Sequence, residues 1–261
     1  ENVSVKYIKI IFDELSKDGI ATYKRIYGDW TNPSLISWKS TLLDNSITPI
    51  QQYSYTSGKN STDSAMIIDA MDILYSGKVE GFCLVSSDSD FTRLASRLRE
   101  SGMAVIGMGE SKTPNSFIAA CNKFKYLDIL SAAEEEEGEE SPKAEAAKKT
   151  AQPKKAAQRA PSKKAKEESK TEKEPKPADE PRTSLRTIRR ALRTIVRENS
   201  DEDNWIMVSQ VCNLLDKRYP DFDVRNFGFS KLTPFLESLD MFEIKDMKKD
   251  SSSPQRYVRL K

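Results

Sequence analysis

Apolar residues come in short blocks over the first 131 positions, and the spacing inside each block predicts an element. Residues 3–15 and 61–75 read as helices, the second ended by Ser76-Gly77. Pro33 stands at the start of a helix over 34–43, and a helix over 91–100 is closed by Gly102. Residues 22–27, 48–55, 81–85 and 104–108 read as strands, the last two as short buried ones. Helix and strand alternate throughout. The fold class expected is therefore α/β, a parallel sheet with helices on both faces. Ligands of such sheets bind at the carboxyl ends of the strands.

The pattern stops at residue 132. Up to residue 182 the chain opens on Glu134-Glu135-Glu136-Glu137-Gly138-Glu139-Glu140 and continues as Lys, Ala, Pro and Ser, and Leu185 is the first large apolar residue after Leu130. Nothing in 132–182 can bury a core, so it reads as a disordered charged linker. Apolar spacing returns over 183–261. Helices are expected at 185–196, 208–217 and 229–238, and a terminal hairpin at 242–245 with 256–260. This makes a second, small α+β domain.

Composition narrows the chemistry. The chain has 261 residues, 37% hydrophobic and 31% charged, with a formal net charge of +2. No run of 18 apolar residues exists, so no membrane partner is expected. Cys83, Cys121 and Cys212 are far apart and form no CxxC pair, which argues against a zinc site or a disulfide framework and for a cytoplasmic, reducing location. There is no histidine. Ser-His-Asp and Cys-His hydrolases are excluded, and hydrolysis would have to run on carboxylates with a hard metal ion.

Three carboxylates occupy unusual places. Asp88 and Asp90, in Ser86-Ser87-Asp88-Ser89-Asp90-Phe91, follow a buried strand and open a helix. Helix capping needs one such residue, and here five stand in a row. In the 61–75 helix the apolar stripe is Met66, Ile67, Ala70, Met71 and Leu74. Asp69 and Asp72 fall opposite it and read as solvated charges, whereas Asp63 falls at its centre. The helix dipole favours an Asp at that end, but an inward carboxylate costs free energy unless it is paired. Asp63, Asp88 and Asp90 together suggest a Mg²⁺ or Mn²⁺ site, because hard oxygen ligands suit ions that keep waters able to act as nucleophiles. A phosphodiester is the natural substrate.

Several strings carry a resemblance. Glu1-Asn2-Val3-Ser4, Ile26-Tyr27-Gly28-Asp29-Trp30, Lys59-Asn60-Ser61-Thr62-Asp63, the Ser86–Phe91 string and Thr113-Pro114-Asn115-Ser116-Phe117 resemble the NYN domain, a LabA-like branch of the PIN-type nuclease superfamily. The resemblance implies a metal-dependent ribonuclease, with catalytic and metal roles for Asp63, Asp88 and Asp90 and a catalytic role for Asn2. It also implies that the first apolar strand, and the Asp that ends it, are missing from a chain that starts at Glu1. Homodimers are common among PIN-type domains and are an expected partner state.

Trp205-Ile206, the 221–232 string Asp-Phe-Asp-Val-Arg-Asn-Phe-Gly-Phe-Ser-Lys-Leu and Tyr257-Val258-Arg259-Leu260 resemble an OST-HTH (LOTUS) domain, a winged-helix-like module. That resemblance implies RNA, single-stranded or structured, or a protein as partner. Arg186, Arg189, Arg190, Arg193 and Arg197 recur at helical spacing. They read either as a solvated face or as a strip for phosphates, which would make binding salt-dependent. Arg186, Arg190, Arg225 and Lys231 are the expected nucleic-acid contacts. Phe227 and Phe229 read as core. The expectation for 1–131, 132–182 and 183–261 together is a metal-dependent ribonuclease with an RNA-binding C-terminal domain. The rival readings are a non-catalytic RNA-binding adaptor with a degenerate site and a DNA-binding regulator.

Overall fold

The computed structural model describes residues 3–53, 61–140, 183–247 and 255–261. In the first unit, α1 (Ile8–Leu15) follows a 3-10 turn, and β1 (Arg25–Gly28) pairs in parallel with β2 (Thr48–Gln51) across α2 (Trp38–Asp44). Then α3 (Ser61–Ser76) leads to β3 (Gly81–Val85), α4 (Thr92–Glu100), β4 (Ala104–Gly109), α5 (Asn115–Ala120), β5 (Lys123–Tyr126) and α6 (Leu127–Glu140). β3, β4 and β5 form a second parallel sheet in that order.

Alternation along the strands explains why helices cover both faces. Phe82, Leu84 and Val105 point to the side where Leu94, Ala95 and Leu98 of α4 pack with Phe117 and Ile118 of α5. Cys83, Val85, Ile106 and Met108 point to the other side, against Ile10 and Ile11 of α1 and Leu127 and Leu130 of α6. Strands buried on both faces read as continuous apolar runs, as 81–85 does. A smaller cluster of Trp38, Leu42 and Ile47, with Phe12 and Ile26, seats β1 and β2.

The expected single sheet is in two parts. β1 and β3 flank a cavity of about 660 Å³, lined also by Ile11 and Phe12 of α1 and Met66, Ala70 and Ile73 of α3. Among the described residues no strand joins the two sheets. The gap between β1 and β3 is wide enough for one more strand, and side chains of α1 and α3 face it instead. α6 also departs from expectation: it continues to Glu140, nine residues beyond the expected boundary at 131. Glutamate and alanine are good helix formers, and the apolar Leu127 and Leu130 anchor the first turn in the core.

The second unit contains α7 (Leu185–Asn199), β6 (Ile206–Met207), α8 (Val208–Arg218), α9 (Leu232–Ser238), β7 (Phe242–Met247) and β8 (Gln255–Leu260). The hairpin expected at the end is β7–β8, antiparallel, with β6 on the far edge of β8. α7 buries Ile188, Ala191, Leu192, Ile195 and Val196 on Val211, Leu215, Phe235 and Val258. Phe227 and Phe229 pack partly buried against the core, on Phe235, with ring centroids 5.3 and 5.5 Å away. Gly228 between them has φ +77°, the left-handed conformation that ends the turn Val224–Phe227. Among the described residues no helix is long and apolar enough to cross a membrane.

Candidate metal centre

β3 ends at Val85, and the chain turns at once over the sheet's carboxyl edge. Ser86 is buried, and its hydroxyl accepts the Asp88 backbone N–H at 3.1 Å. Asp88 caps the next turn, its Oδ1 accepting the Asp90 N–H at 2.9 Å. Ser87 Oγ accepts the Glu110 N–H at 2.8 Å, which ties the loop after β3 to the loop after β4. Asp63 arrives from the first turn of α3.

The result is one group. Asp63, Asp88 and Asp90 each offer a carboxylate oxygen, and the three atoms lie within 4.8 Å of one another. Asp63 and Asp88 are half-buried and Asp90 is exposed. Two like charges at about 5 Å repel by roughly 1 kcal/mol in water and about 3 kcal/mol at the dielectric of a protein surface. A divalent cation relieves that repulsion. An all-carboxylate donor set suits a hard ion such as Mg²⁺ or Mn²⁺, and without histidine or cysteine it does not suit zinc. Thiol nucleophiles are no alternative: burial pushes Cys83 and Cys121 up to about 12, so both stay protonated at neutral pH.

Asn2 lies outside the described residues. Arg186 and Arg190 are exposed on α7, opposite its buried stripe, and Lys231 is exposed at the start of α9. Arg225 is differently placed. Its guanidinium meets Glu14 at 2.6 and 3.0 Å and Asp223 at 2.6 Å, half-buried between the two units. Those carboxylates engage the groups a phosphate would need. Asp69, read as solvated, instead accepts from Arg25 and from the Tyr27 hydroxyl, both on β1, whereas Asp72 is exposed as expected. Helix geometry alone placed Asp69 away from the stripe, but α3 touches a second neighbour, β1, on that side.

Ser86, Ser87 and Thr113 stand in the strings that the sequence singles out, but their support of the cluster, with that of Gly109, shows only in the structure. The Thr113 hydroxyl, fully buried, donates to the Glu110 carbonyl at 2.5 Å. Their signal was a tight run of small residues at two neighbouring strand ends, where backbones approach closely.

Two family models match parts of the chain. The model of the NYN domain matches residues 1–128, and that of the OST-HTH/LOTUS domain matches residues 183–253. A solved structure similar to this chain is a protein of unknown function, VPA0982, from Vibrio parahaemolyticus RIMD 2210633. It is 19% identical, with a TM-score of 0.34, over 40% of this chain and 67% of that one. Among curated proteins none matches the chain.

Proposed function

From a chain that carries an NYN domain followed by an OST-HTH/LOTUS domain, a pairing that supports a nuclease-type, RNA-related function, we propose a metal-dependent ribonuclease of RNA processing or turnover. The observation that carries this reading is the convergence of Asp63, Asp88 and Asp90 at the carboxyl end of β3. These three residues would hold Mg²⁺ or Mn²⁺. Such an ion, when bound, supplies an activated water and neutralises the charge that develops on a phosphodiester.

The chain's own residues supply the positioning. Ser86 fixes the backbone of Asp88, and the Ser87–Glu110 bond fixes the loop that carries Asp88 and Asp90. The exposed Arg186, Arg190 and Lys231 would contact RNA phosphates and retain the substrate. Three free cysteines suit a cytoplasmic location.

The test is cleavage of single-stranded and structured RNA with Mn²⁺, Mg²⁺ or EDTA, in the unaltered protein and in Asp88→Asn. The expected result is metal-dependent cutting that falls at least about 100-fold in Asp88→Asn, with RNA binding nearly unchanged. Undiminished cleavage by Asp88→Asn would overturn the assignment. Binding without cutting under every metal condition would leave an RNA-binding adaptor.

A further inference from the structure

Glu14 is 3% exposed, although it is a carboxylate on a short helix. It lies on the same face of α1 as the buried Ile10 and Ile11. Its oxygens are met by Lys17 at 2.5 Å, by Lys125 of β5 at 2.7 Å, and by both terminal nitrogens of Arg225. Arg225 belongs to the C-terminal unit, 211 positions away. Around this pair Asp223 braces Arg225, and Asp18 receives Lys123 at 2.5 Å and Lys125 at 3.3 Å.

The contacts do not stop at charge. The Phe124 N–H, on the outer edge of β5, donates to the Pro220 carbonyl at 2.7 Å. The buried Tyr126 hydroxyl donates to Asp221 at 3.2 Å, and Asp221 also accepts from Thr183 at 2.6 Å. The edge of the three-stranded sheet is thus covered by the second domain, one way in which proteins protect a strand edge.

We propose that the C-terminal domain is latched onto the β5 edge of the N-terminal domain through Glu14, Lys125 and Arg225, so that the two act as one body. Thr183, where the second unit begins, is bonded to Asp221, which is bonded to Tyr126, the residue that precedes α6. The second unit therefore begins beside the residue from which α6 departs. The bidentate arginine–carboxylate pair adds geometric specificity, and removing Arg225 takes away the one cation, among the described residues, that reaches Glu14 from the other domain. This conclusion holds whether or not the acidic cluster cuts RNA. Its functional meaning is that the arginines of α7 and the cluster at β3 keep one relative orientation, and RNA must satisfy both at once.

Cutting the chain between the two domains tests it. A specific protease site inserted between Pro161 and Ser162 of the full chain allows cleavage after folding. The expected result is that the two pieces stay together at the mass of the intact chain, 29.5 kDa, in light scattering on a sizing column. Tethered partners experience effective concentrations on the order of 1 mM, so pieces that bind at about 10 µM correspond to an intact latch closed roughly 99% of the time. Arg225→Ala should weaken the association at least about 100-fold. Because that variant removes one of the cations around the buried Glu14, the double variant Glu14→Gln/Arg225→Gln is measured beside it, with hydrogen exchange in the α7 and α4 cores as a check on folding. With both cores protected, the double variant should also separate more readily than the unaltered pieces. Pieces that bind more weakly than about 1 mM, or that separate no differently in the variants, would overturn the latch. A species of twice the expected mass that falls apart with Arg225→Ala would place the contact between copies and overturn docking within one chain.

Discussion

A side chain at residue 109 would have nowhere to go. A Cβ on Gly109 would stand 2.6 Å from the Ser86 carbonyl oxygen, 2.7 Å from Thr113 Oγ1 and 3.0 Å from Ser87 Oγ. Two of those residues carry the loop that presents Asp88 and Asp90, and one of the contacts is backbone and cannot swing aside. Gly109→Ala should therefore lower stability by roughly 1–3 kcal/mol, the usual cost of overpacking, as read from the urea midpoint. It should also lower RNA cleavage by shifting the loop. Thr92, two residues beyond Asp90, has a buried hydroxyl with no partner among the described residues, an uncommon feature that costs free energy where it stands.

At the scale of elements, α3 spans the gap between the two sheets. Its apolar stripe packs on the core of the larger sheet, and Asp69 grips Arg25 and Tyr27 of β1 on the smaller one. Burial and then the Asp69 hydrogen bond push the Tyr27 hydroxyl well above its usual range, so it stays protonated and donating. Tyr27→Phe should lower stability by about 1–3 kcal/mol in chemical denaturation, the range for a hydrogen bond to a charged group. These elements were unequally legible. The stripe of α3 and the runs of β3 and β4 announced themselves, because each is buried on the faces its spacing implies. β5 did not: Lys123-Phe124-Lys125-Tyr126 offers only two apolar positions, and its lysines face Asp18 and Glu14, which no local pattern shows. The strand expected from residue 22 begins at Arg25, because only from there does β2 supply partners. The test that singled out Asp63, a carboxylate among apolar positions of a helix, also applies to Glu14, three and four residues after Ile11 and Ile10. Its partner, Arg225, was out of reach because the pairing is set by how two domains meet.

For the whole molecule, the latch makes association of the domains depend on pH in a definite direction. Burial would raise Glu14, but hydrogen bonds from Arg225, Lys125 and Lys17 outweigh it and hold the carboxyl far below its ordinary value of 4.5. Asp18, also opposed by burial, is lowered by Lys123 and Lys125. Asp223 braces Arg225, and Asp216 lies within the influence of Lys123. A depressed carboxyl contributes its stability above the unfolded value and loses it as pH falls through the folded value. The domains should therefore stay docked from neutral pH down to about 4.5 and begin to separate only in stronger acid, with Glu14→Gln flattening that dependence in pH-resolved hydrogen exchange at Phe124. The cavity between β1 and β3 has a consequence of another kind. Its apolar walls already meet solvent in the native state, so unfolding exposes less new surface there than a filled sheet would. The N-terminal domain should therefore take up slightly less heat capacity on melting than the same domain with the cavity filled by apolar substitutions, and filling it should sharpen the temperature dependence of stability.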